Sequence, residues 1–558
     1  MMSFETKHKE RGMYMTELKS LPAQGPKQVA EGNQGACSSS HPLVSHTMLE
    51  VMKNGGNAMD AAVAGSLLQA GIEPHMTNHG GSVLFLCWDA RTQKTYQLTS
   101  TGTLVPGLSR WSPVPQSMGK GCAAIPGYMP GLGAIHERFG TKPWKELCQP
   151  AVKAARDGYP MYSWQYGVLT ETMADLTYFP ASREIFTPDG FLTPVGELRR
   201  NLPLAQTLEG LAEEGPDYFT TGQWGQNFVK IANQLGWKIE LEHMSAIPPR
   251  WQDPLHYEHG ANTIVQLAPP EQAGVLSQFA LGVLSHMGIT DLGHYSESAE
   301  SLYLLAHVLR WVSWELGLLQ DPEMFAVPFE QWASADHHRR VAEIILNSRP
   351  QVDLTEHVQL TAGKGGMEAA GAPPAEADSC ELSIVDPQGN WVQMMHTGQG
   401  GGIPKVTVDG VFMHGSAANA NLQMGISGWT TGSGRIKCIV GNTLVLKDQK
   451  PWLALGTPGR PHLTVPQVLH NILDFGMDPY EASVKPRFWP LAEDYTLEVE
   501  NRISEEVVMG LARRGVQVKP LGTYRWNMGS FQICWRDHVS GKIKSSCDPR
   551  RVGEAVAY

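Results

Sequence analysis

The sequence predicts a large layered protein of the α+β class. Three stretches indicate this class: an Ala-rich helix followed by an apolar strand within residues 57–88, an amphipathic helix at 300–316, and a β-hairpin at 381–395. The 558 residues would fill three or four domains of about 150 residues each, and a single large layered enzyme is also allowed. A chain this long buries roughly 75% of its unfolded surface, so a core needs neither disulfides nor metal.

The helices and the first strand have clear local signals. Asn57 is a good N-cap, Asp60 meets the helix dipole in the first turn, and alanines and leucines up to residue 68 supply a packing face. The apolar run SVLFLCW at 82–88 then predicts a strand. At 300–316 the apolar residues recur at steps of three and four, which is the period of an amphipathic helix.

The hairpin follows a segment of opposite character. Residues 363–378 contain no Leu, Ile, Val or aromatic residue, so we expect a flexible, exposed linker. Beyond it, 381–385 and 391–395 predict two strands, and Pro387 presets the φ angle that a type I turn needs between them. A flexible tether therefore leads into a rigid hairpin.

Composition excludes several classes of function. The net charge of −11 and the scattered Lys and Arg offer no positive patch, so neither nucleic acid nor a membrane is expected as a partner. The eight cysteines include no CxxC pair, which favours reduced thiols in a cytoplasmic protein. Residues 1–27 contain no apolar run of the length of a secretory signal core, and no run elsewhere has the length of a membrane span. No spacing of His or Cys indicates a metal, and no cofactor is expected.

The junction between linker and hairpin carries two nucleophile candidates, Ser379 and Cys380. If the chain were cut between Asp378 and Ser379, the new α-amino group could serve as base for the serine hydroxyl of its own residue. The alternative is that Asp378 and Ser379 only turn the chain into the strand. Thr397 follows the partner strand and would return close to Ser379, where it either orients the nucleophile or bonds its own backbone.

Residues 454–461 form a second point of interest, because glycines there separate an apolar strand from a candidate helix at 465–473. Backbone N–H groups at such a junction can bind an anion, as an oxyanion hole requires. The alternative is an ordinary turn between strand and helix.

Several segments resemble the signatures of the γ-glutamyltranspeptidases, a family of N-terminal-nucleophile (Ntn) hydrolases. They are 55–62 (GGNAMDAA), 73–76 (EPHM) with 80–81 (GG), 125–127 (IPG), 378–386 (DSCELSIVD), 456–459 (GTPG), and 548–551 (DPRR) with Tyr558. These motifs span nearly the whole chain, and several of them in one order are far more specific than any one alone.

The resemblance implies a four-layer αββα sandwich, made as one inactive chain that cuts itself before its nucleophile. The cut would separate a large-subunit region, 1–378, from a small-subunit region, 379–558, and the two would stay together as one intertwined structural domain. Ser379 takes the place of the family's usual threonine and keeps its oxygen, whereas Cys380 falls one residue late.

Further site residues follow from the same resemblance. Thr397 matches the second threonine of the family, and Gly459 with Arg460 matches the glycine pair whose N–H groups hold the oxyanion. Arg460 keeps the N–H group but adds a cationic side chain.

The departures from the family concern substrate recognition. The family's R-E-x-x-P segment, whose arginine binds the α-carboxylate of a glutamyl donor, corresponds here to 102–106 (GTLVP). The acidic residue for the α-amino group falls near Asn419, and the family's serine pair falls on Cys438 and Ile439. Because both charged anchors are lost, we expect a less charged acyl group. The residues expected to recognise it are Gln399, Ser416, Asn419, Cys438 and Arg460.

Three functions stay open at this stage. The first is an Ntn amidohydrolase that cleaves a small amide through an acyl-enzyme on Ser379, and the second is an acyltransferase, still glutamyl or not. The third is a non-catalytic binding protein or scaffold. The expected partners are a small-molecule amide and the two self-cleaved fragments for each other, with a homo-oligomer of that heterodimer left open.

Overall fold

The computed structural model describes residues 20–104, 123–271, 273–316, 327, 329–348, 379–414, 434–436 and 438–558. In this part of the chain, two seven-stranded sheets stack face to face and helices cover the outer face of each. This four-layer αββα order confirms the predicted fold class.

The strands, in chain order, are β1 (Ala30–Gly32), β2 (Ala36–Ser39), β3 (Ser82–Asp89), β4 (Lys94–Ser100), β5 (Thr103–Leu104), β6 (Tyr159–Pro160), β7 (Leu198–Arg199), β8 (Arg250–Gln252), β9 (Leu255–His259), β10 (Asn262–Gln266), β11 (Ser379–Val385), β12 (Trp391–Thr397), β13 (Thr407–Val408), β14 (Val411–Phe412), β15 (Gly434–Arg435), β16 (Thr443–Lys447), β17 (Lys450–Gly456), β18 (Thr496–Glu500), β19 (Gln517–Leu521), β20 (Gln532–Arg536), β21 (Ile543–Cys547) and β22 (Glu554–Ala557). One large sheet has the order β22-β2-β11-β12-β3-β4-β8, and the other has the order β1-β21-β20-β17-β16-β10-β9. The other strands form short two-stranded pairs.

The α-helices of the described residues are α1 (Pro42–Lys53), α2 (Ala58–Ile72), α3 (Tyr128–Phe139), α4 (Trp144–Asp157), α5 (Ser163–Glu171), α6 (Met173–Leu176), α7 (Pro180–Phe186), α8 (Leu202–Glu214), α9 (Gln223–Gln234), α10 (Ala273–Leu284), α11 (Ala299–Leu316), α12 (Phe329–Trp332), α13 (Ala335–Leu346), α14 (Pro461–Leu473), α15 (Pro479–Val484) and α16 (Glu505–Ala512). Short 3₁₀ turns lie at Pro216–Phe219, Leu241–Ser245 and Ile289–Leu292. No helix in this part of the chain is long and apolar enough to cross a bilayer.

Strand β11 shows how the layers are built, because its successive side chains enter different cores. Leu382 and Ile384 belong to the core shared with α1 and α2, whereas Val385 belongs to the core between the two sheets. The same alternation in β12 sends Val392 to the helices and Trp391 to the other sheet. A period of two is what a strand buried on both faces requires.

The sequence-based elements are confirmed with small shifts. Asn57 and Asp60 form a reciprocal capping box at the start of α2. The hairpin closes through a bond from the Gly389 N–H group to the Asp386 carbonyl (3.1 Å), and Gly389 has a φ of 86° that favours glycine. The helix predicted from residue 465 begins four residues earlier, at Pro461, because proline is well suited to the first helical position. The linker 363–378 lies outside the described residues.

Candidate active site

Three hydroxyl-bearing residues lie side by side at the ends of three adjacent strands, β11, β12 and β3, in the middle of their sheet. Ser379, the first residue of β11, pairs with Thr397, which is the last residue of β12 rather than a residue beyond it. Thr397 also pairs with Ser82, the first residue of β3. Ser379 is half-buried, and Thr397 is buried. The register therefore brings the two predicted catalytic hydroxyl residues together.

The two nucleophile candidates lie on opposite faces of β11. Cys380 is 0% exposed and faces the helices, where its Sγ lies 3.6 Å from Glu73 Oε2. Burial raises the pKa of the Cys380 thiol well above its usual value, and the neighbouring Glu73 adds to this effect. A buried thiol of this kind is a poor nucleophile. Ser379 shares its face with Val385 and is directed toward the space between the sheets.

Two tight contacts shape the chain after Thr397. Gly81 lies so close to Thr397 that any side chain there would overlap the Thr397 carbonyl. The Thr397 Oγ1 atom accepts a hydrogen bond from the Gln399 backbone N–H group (3.0 Å), and the Ser82 hydroxyl donates to the Gln399 carbonyl (3.0 Å). The hydrogen bond from the Gln399 N–H group to Thr397 is the local backbone bond that we gave as the alternative to orienting the nucleophile. Gln399 is half-buried beside this hydroxyl row.

The loop after β17 carries the predicted anion-binding pair. Gly459 (φ 73°) and Arg460 (φ 53°) are both left-handed, and Arg460 is the N-cap of α14. A helix N-terminus presents backbone N–H groups to an anion. The Arg460 side chain is exposed, and its guanidinium lies over the Trp489 ring at 5.3 Å.

A network of buried ion pairs contacts the segment that is hydrogen-bonded to this loop. Thr457 Oγ1 accepts from the Ser530 N–H group (2.7 Å), and the adjoining Met528 carbonyl accepts from Arg487 Nη1 (2.6 Å). Arg487 also forms an ion pair with Asp548. Arg550 then links Asp548 (3.1 Å) to a second carboxylate, Glu500. The members of this network are 0–1% exposed, so the loop rests on paired charges.

Two residues that sequence analysis assigned no role lie next to Ser379. The Arg551 guanidinium donates from Nη1 to the Ser379 carbonyl oxygen (2.7 Å). Glu381, on the same face of β11, is 0% exposed and accepts from Gln393 Nε2 (2.9 Å). Strand periodicity alone places Glu381 on the face of Ser379. No local signal links Arg551 to Ser379, because the two residues are 172 positions apart.

The other predicted recognition residues have different surroundings. Cys438 is 2% exposed in the core between the sheets, and its N–H group donates to Glu271 Oε2 (3.3 Å). Ser416, Asn419 and the cleavage-site residue Asp378 lie outside the described residues. In the described part of the chain, no cluster of three or more His, Cys, Asp or Glu could hold a metal ion.

The comparisons agree with this architecture. The γ-glutamyltranspeptidase family model matches residues 44–558. The glutathione hydrolase proenzyme of Bacillus subtilis (strain 168) is 25% identical over 95% of this chain and 92% of its own length. The acylase ACY 1 proenzyme of Pseudomonas sp. (strain SE83) is 26% identical over 88% of each chain.

A solved structure shows the same fold. The cephalosporin acylase from Bacillus halodurans superposes with a TM-score of 0.80 at 21% identity and covers 98% of this chain and 99% of its own. The family match over most of the chain, together with the sandwich and its hydroxyl row, shows that the protein is an amide hydrolase of the γ-glutamyltranspeptidase family of Ntn hydrolases.

Proposed function

We propose that the protein is a self-processing Ntn amidohydrolase that cleaves a small amide through an acyl-enzyme on Ser379. The observation that carries this proposal is the alternation along β11. Ser379 is half-buried on the face between the sheets and paired with Thr397, whereas Cys380 is sealed against Glu73. Of the two adjacent nucleophile candidates, Ser379 is the one that keeps some exposure, because Cys380 is 0% exposed.

The proposed reaction uses one residue as nucleophile and base. Once the peptide bond before Ser379 is cut, Ser379 Oγ attacks the amide carbonyl carbon and its α-amine takes the Oγ proton. The N–H groups of Gly459 and Arg460 stabilise the oxyanion. The amide C–N bond breaks and the amine leaves with the proton. Water then attacks the acyl-enzyme, its proton returns through the α-amine to Oγ, and the acid is released.

We propose further that the acyl group is not γ-glutamyl. The position that corresponds to the family's carboxylate-binding arginine is Gly102, and a side chain at Gly102 would overlap the Gly400 carbonyl. The Gly102 carbonyl also accepts from the Ile436 N–H group (2.8 Å), which fixes the segment in this close approach. This backbone leaves no room for an arginine at residue 102. An amino acid donor would therefore lose one of its two charged contacts.

Intact mass under denaturing conditions tests the self-cleavage. The wild type is expected to give two fragments that divide between Asp378 and Ser379, and Ser379→Ala is expected to stay at 61.2 kDa. Cys380→Ala is the matched control, because it removes the adjacent candidate and leaves the serine in place, and it should cleave normally. Cleavage in Ser379→Ala, or its loss only in Cys380→Ala, would contradict the assignment.

Turnover of paired p-nitroanilides tests the acyl group. We expect kcat/KM for uncharged or singly charged acyl p-nitroanilides to exceed that for γ-glutamyl-p-nitroanilide by at least about 30-fold, since a lost charged contact costs 2 kcal/mol or more. Each reaction is run with and without a dipeptide acceptor, and release of free acid identifies hydrolysis. Preferred use of the γ-glutamyl compound would overturn the substrate proposal but not the nucleophile.

A further inference from the structure

Arg551 contacts Ser379 directly, and the proposed reaction assigns this arginine no role. Its Nη1 atom donates to the Ser379 carbonyl oxygen at 2.7 Å. The side chain is 0% exposed, and its guanidinium lies over the rings of Trp164 and Trp526, at 5.8 and 5.7 Å. This packing holds the guanidinium in one position.

The contact sets an upper limit on the distance from the cation to the reacting groups of Ser379. Within one residue, the carbonyl oxygen and the backbone nitrogen are about 3 Å apart, so the Arg551 Nη1 atom lies within roughly 6 Å of the α-amine that self-cleavage would create. A like charge at that distance disfavours the protonated form of an amine.

We propose, on the basis of the function proposed above, that Arg551 is a positioning residue that anchors Ser379 and keeps its α-amine in the free-base form.

Other titratable groups also lie around Ser379. They are Glu73, His75, Tyr162, Cys380, Glu381, His396 and His414. Burial lowers the pKa of His396 to about 3 and that of His75 well below its usual value, so neither carries charge near neutral pH. Burial also raises the pKa values of Tyr162, Cys380 and Glu381, the last to about 8.

Glu73 and His414 complete the set. Burial raises the pKa of Glu73, while hydrogen bonds from Gln69 (2.6 Å) and Tyr162 (2.7 Å) and the charge of Arg551 act in the opposite direction. His414 lies beyond, with Nε2 2.6 Å from the Pro74 carbonyl. Arg551 is the charge in direct contact with Ser379.

A lower pKa increases the fraction of molecules in which the α-amine of Ser379 is unprotonated and can act as a base. An ordinary α-amine, with a pKa of about 7.8, is free base in about one molecule in seven at pH 7. Lowering that pKa by about one unit makes about six in ten molecules competent.

The test measures inactivation by phenylmethanesulfonyl fluoride from pH 5 to 9 in the processed protein, with the adduct located by mass spectrometry. This probe reports the base of Ser379 without knowledge of the substrate. In the wild type, we expect the acidic limb at least about one unit below the usual α-amine pKa of 7.7–8.0. Arg551→Gln should move the limb up by about one unit.

Two controls separate charge from structure. Arg551→Lys keeps the charge and should hold the limb within about 0.3 unit of wild type, and Arg536→Gln removes an exposed, distant arginine and should do the same. A wild-type limb at or above the usual range overturns the proposal without any variant, as does an unmoved limb in Arg551→Gln. If processed wild type forms no adduct on Ser379, the proposed function itself fails, which is a different result.

Discussion

Asp548 and Glu381 are equally buried carboxyl groups near the candidate site, but their pKa values are shifted in opposite directions. Asp548 is 0% exposed, and although burial alone would raise its pKa, Arg487 and Arg550 hold that pKa below its usual value. Glu381 is also 0% exposed, but its hydrogen-bond donor is the neutral Gln393 amide, and burial raises its pKa to about 8. The charge of a buried carboxyl is therefore decided by its partners rather than by burial.

The two carboxyl groups support the site in different ways, one as an ionised group and the other as a neutral acid. The paired charges around Asp548 hold the loop that contains Gly459, through contacts that need full ionisation. The neutral acid at Glu381 fills the space between β11 and the end of β17, where a charge would have no counter-ion. The variants below break one of these arrangements at a time, from the largest expected effect to the smallest.

Asp548→Asn should have the largest effect on stability. It leaves Arg487 and Arg550 buried with one fewer counter-charge, and breaking a buried pair typically costs about 3–5 kcal/mol. Urea unfolding measures the loss. Glu498→Gln is the matched control, because its partner Lys519 is 62% exposed, and it should cost less than about 1 kcal/mol. Equal losses in the two variants would show that the network carries no special stability.

Glu381→Gln should change how the stability of the protein depends on pH. The folded pKa of about 8 lies above the ordinary value of 4.5, so as pH rises between these values the unfolded state releases a proton that the folded state keeps. The wild type therefore loses stability relative to the glutamine variant by about 2–3 kcal/mol between pH 5 and pH 7. Melting temperatures at the two pH values measure this. If the stability difference between wild type and Glu381→Gln were the same at pH 5 and pH 7, Glu381 would already be ionised at pH 5.

Gly456→Ala tests how tightly Glu381 is enclosed. The new methyl group would overlap Gln393 Nε2 and stand 2.5 Å from Glu381 Oε1, and such overpacking costs about 1–3 kcal/mol. Gly167→Ala, within α5 and with open space around its Cβ, should instead stabilise the protein by up to about 1 kcal/mol. Combining Gly456→Ala with Glu381→Ala should cost less than the sum of the single variants. Strict additivity would contradict the contact.

Much of the fold was predictable because its signals are local. The capping box at Asn57, the apolar run of β3 and the turn at Gly389 all use neighbouring residues, and each appears as predicted. The motif order indicated the family before any geometry was known, and the family match confirms it. Helix boundaries shifted by up to four residues, as at Pro461, because a proline at the first helical position starts the helix before its apolar pattern begins.

The site was predictable only in part. Ser379 and Thr397 were named from the hairpin, and their pairing needs only the register that the turn sets. Cys438 lies at 2% exposure between the sheets, which a lone cysteine in the sequence does not indicate, and its part in substrate recognition stays a prediction. Arg551 was visible as part of a motif, but its contact with Ser379 was not.

The sequence by itself determined the elements, the family and the pair of candidate nucleophiles, since these depend on residues near one another or on motifs in order. Only the tertiary structure decided which candidate is accessible, which carboxyl is charged, and which arginine contacts the nucleophile. The physical reason is that burial and pairing join distant segments. Sheet packing sends Ser379 and Cys380 to opposite faces, and the return of the C-terminal segment brings Arg551 to the start of β11.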